Sequence, residues 1–382
     1  MPWQESSAMS LREEFVALAQ HEQSNIRALC LRFGISPTTG YKWLERARQL
    51  QPLSDRSRRP KHSPNQCPLE FEQQVCQLRQ EHPAWGARKL THRLMNLGVK
   101  VPAVSTVHAI LCRHGLILGQ ASEAATPWRR FEHPEPNDLW QMDFKGHVAM
   151  LRGRCHPLTI LDDHSRYAVC LQACGDEQEA TVVQRLEMVM RRYGVPARMT
   201  MDNGSPWGGY DGCHYTSLDL WLMRQGIRVG HSRPYHPQTQ GKDERFHRTL
   251  KAELLQGLPL ANLSEAQHAF DRWRQVYNQQ RPHQALDMQV PIVRYRTSPR
   301  PYCERPAEPE YASAEQVRQV QKQGAISWKN RLWKVGKAFK GQQVAVRADP
   351  TEDGCYDVFW STLRIARIDL RDQSIQAGRV IV

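Results

Sequence analysis

The chain has 382 residues, with 52 Lys and Arg against 39 Asp and Glu, a formal net charge of +13 and a pI near 9.4. This length exceeds what one hydrophobic core usually serves, so it predicts several domains, and the charge favours a polyanionic partner such as nucleic acid. No run approaches the roughly 18 to 20 apolar residues that span a bilayer and no signal region opens the chain, which predicts a cytoplasmic protein with no membrane partner.

Residues 10–48 show the pattern of a helix-turn-helix DNA-binding domain. Apolar residues recur at helical spacing in two runs, Gly34 breaks the second, and a third, basic run begins at Pro37. Trp43 and Leu44 are expected in the small core, although any three-helix bundle could produce the same pattern. The side chains expected to face the major groove are Thr38, Thr39, Lys42 and Arg46.

A second three-helix pattern follows a basic, proline-rich linker at residues 49–68. It occupies residues 69–118, with helices predicted over Leu69 to Glu81, Ala87 to Leu97 and Val104 to His114. Arg88 and its basic neighbours would form one flank of the middle helix, opposite an apolar stripe that ends at Leu97. Such a flank suits contact with DNA phosphates, but a solvated face explains it equally well.

Residues 137–296 form an α/β core that follows a proline-bearing linker at residues 119–136. β-type runs alternate with helices there. The elements with clear bounds are strands over Trp140 to Ala149, Leu158 to Asp162, Tyr167 to Ala173 and Arg198 to Met201, and a helix over Glu177 to Tyr193. A further helix, a strand and a long helix complete an order that fits an RNase-H-like fold.

The C-terminal part begins with a linker at residues 297–323 and continues with short alternating strands over residues 324–382. These strands predict a small SH3-like β-barrel, whose Lys and Arg side chains could follow a DNA backbone or serve only solubility. The predicted fold class is therefore multidomain, with N-terminal all-α helix-turn-helix units, a central α/β RNase-H-like core and the C-terminal barrel.

Three carboxylates are expected to meet at one edge of the core sheet. Asp143 is an acid inside an otherwise apolar strand, Asp202 directly follows a strand, and Glu244 opens a helix after Gly241. Acids brought together without a cation repel one another, whereas two divalent ions roughly 3.5 to 4 Å apart make the arrangement favourable. Oxygen ligands select Mg²⁺ or Mn²⁺. Such ions can activate a water or a DNA 3′-hydroxyl and stabilise the leaving oxygen, so the pattern predicts two-metal phosphoryl transfer.

Five segments carry a resemblance to a known family. They are WQMDFKG, LDDHSR, MDNGSPW, HPQTQGKDERFHRTLK and YNQQRPHQAL. Together they resemble the integrase-core signature of insertion-sequence transposases of the IS3 and IS481 type and, more distantly, that of retroviral integrases. The resemblance is strong over residues 137–295, and the order of two helix-turn-helix units, core and β-barrel is similar to the IS481 arrangement. It therefore extends over nearly the whole chain.

The resemblance implies that Asp143, Asp202 and Glu244 form a DDE triad that holds two Mg²⁺ or Mn²⁺ ions. It implies that Lys242 and Arg245 contact DNA near the cut, and Asn203 and His236 match the surrounding motif and are predicted to bind DNA as well. Arg248 is predicted to bind DNA because it belongs to a cluster of basic side chains near Glu244 that suits phosphates: His231, Arg233, His236, Lys242, Arg245, His247, Arg248 and Lys251. It also implies a homo-oligomer, a dimer or tetramer, on double-stranded DNA that includes element ends and target, in the bacterial cytoplasm at the nucleoid. One departure is the spacing: 41 residues separate Asp202 from Glu244, more than is usual in the family, and a loop is expected to hold the extra residues.

Three other acids lie near these motifs. Asp243 is the competing ligand next to Glu244, but adjacent residues on a helix point about 100° apart, so both cannot face the same metal ions. The resemblance favours Glu244. Asp162 and Asp163 precede Ser165 at a strand end, where a turn with local hydrogen bonds and ion pairs predicts a structural role.

Three functions fit the sequence. The first is a transposase that binds the terminal inverted repeats of an insertion element, cleaves to expose 3′-hydroxyl ends and joins them to target DNA. The second is a non-catalytic repressor descended from such an enzyme, and the third is an RNase-H-like nuclease that cuts without joining. The intact acids argue against the repressor, and the added DNA-binding units together with the resemblance favour the transposase over the nuclease.

Overall fold

A computed structural model describes residues 7–21, 24–55, 67–117, 132–202, 204, 207, 215–231, 241–256 and 260–371. The chain forms two compact units, Met1–Pro68 and Leu69–Val382. Among the described helices, none is both long enough and apolar enough to cross a bilayer. The first unit holds the predicted domain at residues 10–48 with its linker, and the second holds everything that follows.

The first unit contains a three-helix bundle whose helices begin at caps that the sequence supplies. The helices are α1 (Ala8–Ala19), α2 (Ile26–Arg32) and α3 (Pro37–Arg48). Each follows a polar side chain that accepts a backbone hydrogen bond, namely Ser7, Asn25 and Ser36. Phe15, Cys30 and Trp43 lie in the core, and Gly40 lets α2 and α3 approach, since a Cβ there would lie 2.5 Å from the Cys30 Sγ. The predicted helix-turn-helix unit is confirmed.

The second unit opens with another three-helix bundle, formed by α4 (Leu69–Glu81), α5 (Ala87–Asn96) and α6 (Val104–Arg113). Its fully buried residues include Trp85, Leu90, Val107, Ile110 and Leu111. This bundle confirms the second predicted helical unit with one correction. Helix α5 ends before Leu97, which is 56% exposed and not part of the apolar stripe, because Gly98 leaves the helical conformation with a φ of 79°.

Six strands form the central sheet: β1 (Trp140–Phe144), β2 (Val148–Ala149), β3 (Arg154–Asp162), β4 (Ala168–Cys174), β5 (Arg198–Met201) and β6 (Arg228–His231). The main order is β4-β3-β1-β5-β6, with β2 paired to the start of β3. β3 is antiparallel to β1 and β4, whereas β5 is parallel to β1 and β6. This order confirms the RNase-H-like core. The strand predicted over Trp140 to Ala149 is two strands, because Gly146 turns the chain between them with a φ of 79°.

Helices cover both faces of this sheet. α7 (Glu179–Tyr193) and α8 (Ser217–Arg224) pack on one face, and α9 (Gly241–Leu250) and α10 (Leu263–Gln279) pack on the other. A π-helical turn, Lys251–Leu255, continues α9, and a short helix α11 (Pro291–Arg294) closes the core. Met142 and Phe144 of β1 point to the α7 face. Because side chains alternate along a strand, Asp143 between them points to the face that α9 covers.

The C-terminal part is rich in β-structure. Its strands are β7 (Gln316–Gln319), β8 (Ala325–Trp328), β9 (Arg331–Lys334), β10 (Gln343–Ala348), β11 (Cys355–Trp360) and β12 (Leu363–Asp369). They form a four-stranded sheet, β12-β11-β10-β7, and a separate hairpin, β8-β9, around buried Trp328, Trp333 and Trp360. The described strands do not close into a barrel, so the SH3-like barrel stays a prediction. β7 lies within the linker predicted over residues 297–323.

Part of that predicted linker is bound tightly to the core. The Arg300 guanidinium donates hydrogen bonds to the carbonyls of Pro196, Gln225 and Gly226, at 2.7, 3.0 and 2.7 Å. The backbone of Ser298 donates to the Tyr193 carbonyl at 2.8 Å. These contacts fix the segment that leads from the core to the C-terminal sheet.

Candidate active site

Asp143 and Asp202 lie side by side at the end of two parallel strands. The pairing of β1 with β5 matches Trp140 to Met199 and Gln141 to Thr200. The same register carried two residues further brings Asp143 opposite Asp202, and parallel neighbours in a sheet lie about 4.8 Å apart. The structure therefore brings together the first two of the three predicted acids.

The pair is electrostatically unfavourable as long as both acids are ionised. Burial, and next the negative charge of Asp202, together raise the pKa of Asp143 from an ordinary 3.8 to about 7. The side chain is still 25% exposed, so a cation could reach it from solvent. A divalent cation between the two carboxylates would reverse both effects by favouring the charged forms.

The backbone at Asp202 is held from a neighbouring strand. His231, the last residue of β6, donates from Nδ1 to the Asp202 carbonyl at 2.9 Å, and its Nε2 lies 3.3 Å from both carboxylate oxygens of buried Asp219. Burial lowers the pKa of His231, but the hydrogen bond and charge of Asp219 more than offset it, so the pKa is raised overall. The sequence placed His231 only among basic residues near Glu244. Its role in positioning Asp202 follows from a strand pairing that no local motif reveals.

Helix α9 turns Asp243 and His247 toward Asp143 and leaves Glu244 exposed. Asp243 is 1% exposed and His247 is 8% exposed. His247 Nδ1 lies 3.9 Å from Asp143 Oδ2, and His247 Nε2 lies 3.9 Å from Asp243 Oδ2. The sequence pattern groups His247 with Glu244 on a side other than the buried stripe, whereas the structure buries His247 and exposes Glu244. The assignment of Glu244 as the third acid of the triad stays a prediction.

A signal for this orientation exists in the sequence. Residues 243, 246, 247 and 250 follow the spacing of one helical face, and Phe246 and Leu250 are its apolar members. Asp243 and His247 share that face, so they enter the interior along with the two apolar residues. Glu244 lies about 100° further round the helix.

Asp243 is an unusual buried acid. Neither of its carboxylate oxygens makes a hydrogen bond of normal geometry with a described residue, although the Thr159 hydroxyl is near enough to lower its pKa, and both are inaccessible to solvent. Burial, and next the charge of Asp143, hold its pKa well above the ordinary value. An isolated buried carboxylate is expensive to ionise. Two buried carboxylate oxygens beside Asp143 and His247 fit a divalent cation, so the residues present suit a metal-binding site.

Lys242 lies in an ion pair that the sequence did not predict. Its Nζ is 2.5 Å from the Oδ1 of Asp163, which is 1% exposed. The same carboxylate accepts hydrogen bonds from Gln141 Nε2 at 3.0 Å and from the backbone of His133 at 2.9 Å. Asp163 thus has the predicted structural role, and the structure places Lys242 against it. A contact of Lys242 with DNA stays a prediction.

The remaining predicted DNA-binding residues fall into three groups. Those exposed on the surface are Thr38, Lys42, Arg88, Arg245 and Arg248. Two are partly buried by local contacts: the Thr39 hydroxyl lies 2.9 Å from that of Ser36, and Arg46 donates to the Ser54 carbonyl at 3.0 Å. Asn203 and His236 lie outside the described residues. The guanidinium of Arg46 and the ammonium of Lys42 also lie over the Trp43 ring, at 4.7 and 4.4 Å from its centroid.

The basic flank of α5 contacts the core in part. Arg93 donates to the side chain of Gln280 at 2.9 Å. Burial, followed by the charge of Arg281, lowers the pKa of Lys89 to about 8. Arg88 on the same helix is exposed. The flank predicted to face phosphates or solvent therefore serves partly to dock the second helical bundle on the core.

Family profiles match the chain in the order of its domains. Profiles of a helix-turn-helix domain and a homeodomain-like domain match residues 11–61 and 39–111. Two integrase core domain profiles match residues 133–237 and 225–291. The C-terminal domain profile of IS481 family transposases matches residues 315–376.

Similar sequences come from insertion elements and retroviruses. The 31.7 kDa protein of insertion element IS407 from Burkholderia multivorans is 27% identical over 156 residues, 41% of this chain and 54% of that protein. The 39.2 kDa protein of insertion element IS476 from Xanthomonas euvesicatoria is 28% identical over 165 residues, 42% of this chain and 46% of that protein. The Pro-Pol polyprotein of simian foamy virus type 3 is 30% identical over 154 residues, 39% of this chain and 13% of the polyprotein. The chain thus spans about half the length of the two insertion-element relatives.

The acids at the sheet edge lie within the matched integrase core, and the matched C-terminal domain follows it. In chain order, the matched segments are helix-turn-helix units, an integrase core and the C-terminal domain of IS481 family transposases.

Proposed function

We propose that this chain is a DNA transposase that binds the terminal inverted repeats of an insertion element, cleaves to expose 3′-hydroxyl ends and joins them to target DNA. The observation that carries the proposal is that the parallel pairing of β1 with β5 leads to Asp143 and Asp202, which are close enough for the charge of Asp202 to raise the pKa of Asp143. Glu244, the proposed third acid, lies in the first turn of α9 next to Asp243, which is near Asp143. The matched integrase core and IS481 domain support it.

Asp143, Asp202 and Glu244 would hold two Mg²⁺ or Mn²⁺ ions. When bound, such ions activate the attacking oxygen and stabilise the leaving 3′ oxygen during displacement at phosphorus. The chain's own contribution is positioning. His231 fixes the Asp202 backbone from β6, and the pairing of β1 with β3 and β5 fixes Asp143 between two strands.

Exposed cations on α9 would guide the DNA to these acids. Arg245 and Arg248 follow Glu244 on the helix and are exposed, so their guanidinium groups are free to approach phosphates. In the first helical unit, exposed Thr38 and Lys42 lie on α3, the helix that would enter the major groove. These contacts position DNA, whereas the acids carry out the chemistry.

The proposed reaction requires two DNA ends to be held at once. We therefore propose that the chain acts as a dimer or tetramer on DNA, in the bacterial cytoplasm. The C-terminal sheet, of SH3-like type, would add phosphate contacts through its basic side chains.

The test uses the full chain, an end-labelled duplex with the terminal repeat of the element, a target plasmid and either Mg²⁺ or Mn²⁺. We expect nicked and joined products with the wild type, and neither product with Glu244→Gln. Nicks without joining would favour a nuclease, and binding without cleavage would favour a repressor. If Glu244→Gln retains both products while Asp243→Asn loses them, the acid on α9 has been assigned to the wrong residue.

A further inference from the structure

A second ligand set lies beside the proposed reaction centre. One side-chain atom from each of Asp143, Asp243 and His247 lies within 4.8 Å of the other two. We propose that these three residues bind a divalent transition-metal ion, of the Mn²⁺ class, in which imidazole nitrogen is a ligand. This inference deepens the proposed function and rests on it for its catalytic meaning, because Asp143 belongs to both sets.

The distance between the His247 and Asp143 side chains fits two ligands of one metal ion better than a direct hydrogen bond. The distance of 3.9 Å between His247 Nδ1 and Asp143 Oδ2 is too long for a hydrogen bond. Metal bonds to imidazole nitrogen and carboxylate oxygen are about 2.0 to 2.2 Å long, so two ligands of one ion can lie up to roughly 4.3 Å apart. The two atoms therefore have room for an ion between them.

Thr159 sets the tautomer of His247 that such a site needs. The Thr159 hydroxyl donates to the Asp143 carbonyl at 2.9 Å and lies 2.8 Å from His247 Nε2. A hydroxyl has one hydrogen, and when the carbonyl accepts it, His247 donates from Nε2 to the Thr159 oxygen and keeps its lone pair on Nδ1 for a metal ion. Metal-binding histidines are commonly held in this way, with the second ring nitrogen bonded to a fixed acceptor.

Asp243 supplies an independent indication of a ligand. Its side chain is 99% buried, and neither oxygen makes a hydrogen bond of normal geometry with a described residue, the Thr159 hydroxyl being the nearest donor. It lies within the same triangle as Asp143 and His247. A carboxylate in this position needs either a proton or a cation. The neighbouring imidazole lone pair favours the cation, because it offers a ligand and not a proton.

The donor set predicts the class of ion. Mg²⁺ prefers oxygen ligands in near-ideal octahedral geometry and keeps several waters, whereas imidazole suits first-row transition metals. The imidazole therefore favours a first-row transition metal over Mg²⁺, and the two carboxylates suit Mn²⁺ among those metals. In the proposed transposase this would make Mn²⁺ bind at Asp143 with a nitrogen ligand that Mg²⁺ does not use.

Pulsed electron paramagnetic resonance of Mn²⁺ added to the full chain tests the inference directly, because it detects magnetic coupling to a ligating ¹⁴N. We expect ¹⁴N coupling in the wild type, in Glu244→Gln and in the matched control His268→Gln, which removes an exposed histidine. The coupling should be lost in His247→Gln, and Asp243→Asn should weaken Mn²⁺ binding at least about tenfold. Thermal melting without metal identifies any variant that fails to fold. If His247→Gln does not fold, Asp243→Asn, which keeps the side-chain volume, tests the metal site in its place.

Wild-type protein without ¹⁴N coupling, or coupling that survives in folded His247→Gln, would overturn the inference. DNA joining by a wild type that lacks the coupling would leave the proposed function standing without this site. The coupling in a protein that joins no DNA would support the metal site and contradict the proposed function.

Discussion

The hydroxyl of Thr159 lies 2.8 Å from His247 Nε2 and donates to the carbonyl of Asp143, so one threonine links the helix and the strand of the candidate site. Thr159 sits on β3 directly opposite Asp143 on β1. The orientation of the imidazole thus depends on the register of two strands and not on α9 alone.

Replacing Thr159 by valine tests that link. Thr159→Val keeps the shape of the side chain but leaves the buried His247 Nε2 without an acceptor, which should cost about 1–3 kcal/mol of unfolding free energy. It should also weaken Mn²⁺ binding about 10-fold, because the tautomer is no longer fixed. Urea unfolding and Mn²⁺ titration measure the two effects. The control is Thr249→Val, which removes a hydroxyl that is hydrogen-bonded within α9. It should change the unfolding free energy and the Mn²⁺ affinity by less than Thr159→Val does.

Replacing Lys242 separates its ion pair from its predicted role on DNA. Lys242→Met leaves buried Asp163 with fewer partners, so we expect a loss of about 1–3 kcal/mol in unfolding free energy. Adding Asp163→Asn should recover part of the loss. Arg248→Met, at an exposed position, should weaken DNA binding with little change in stability. Unchanged stability in Lys242→Met together with weaker DNA binding would show that the residue serves DNA and not the fold.

Lys89 makes the free energy of unfolding depend on pH in the alkaline range. Its pKa falls from 10.5 to about 8 in the folded chain, so the unfolded chain binds more protons between these two values. The contribution of Lys89 to stability therefore rises as the pH increases from about 8 to 10.5. Lys89→Met should raise the unfolding free energy at pH 7 and remove this rise, while exposed Lys100→Met should do neither. If the unfolding free energy of the wild type changes with pH between about 8 and 10.5 as that of Lys89→Met does, the ammonium is not buried.

Most of the core fold follows from local patterns in the sequence. The apolar alternation of β1, the strand before Asp202 and the apolar stripe of Phe246 and Leu250 each identify an element and one buried face. The break at Gly146 and the end of α5 were missed, because one glycine decides each of them and its φ depends on the neighbouring strand or bundle. The binding of residues 297–303 to the core was missed as well, since Arg300 finds its acceptors about 75 to 100 residues away.

The candidate site was predicted less completely than the sheet. Asp143 and Asp202 were placed correctly because the ends of parallel strands meet at one edge. The inward position of Asp243 and His247 depends on the rotation of α9 about its own axis, which the packing of Phe246 against Trp273 and Tyr277 helps to set. Lys242 and His231 were assigned to a basic surface, because charge composition does not show which cations meet a buried acid.

The most direct test of the central claim is the yield of joined DNA from a labelled element end with Asp202→Asn, measured beside the wild type and Asp271→Asn. Asp271 is an exposed acid on α10 and serves as the matched control. The account predicts joined product with the wild type and with Asp271→Asn and none with Asp202→Asn, whose unfolding should match that of the wild type. Joining at the wild-type level by Asp202→Asn would contradict the assignment of Asp143 and Asp202 as the reaction centre.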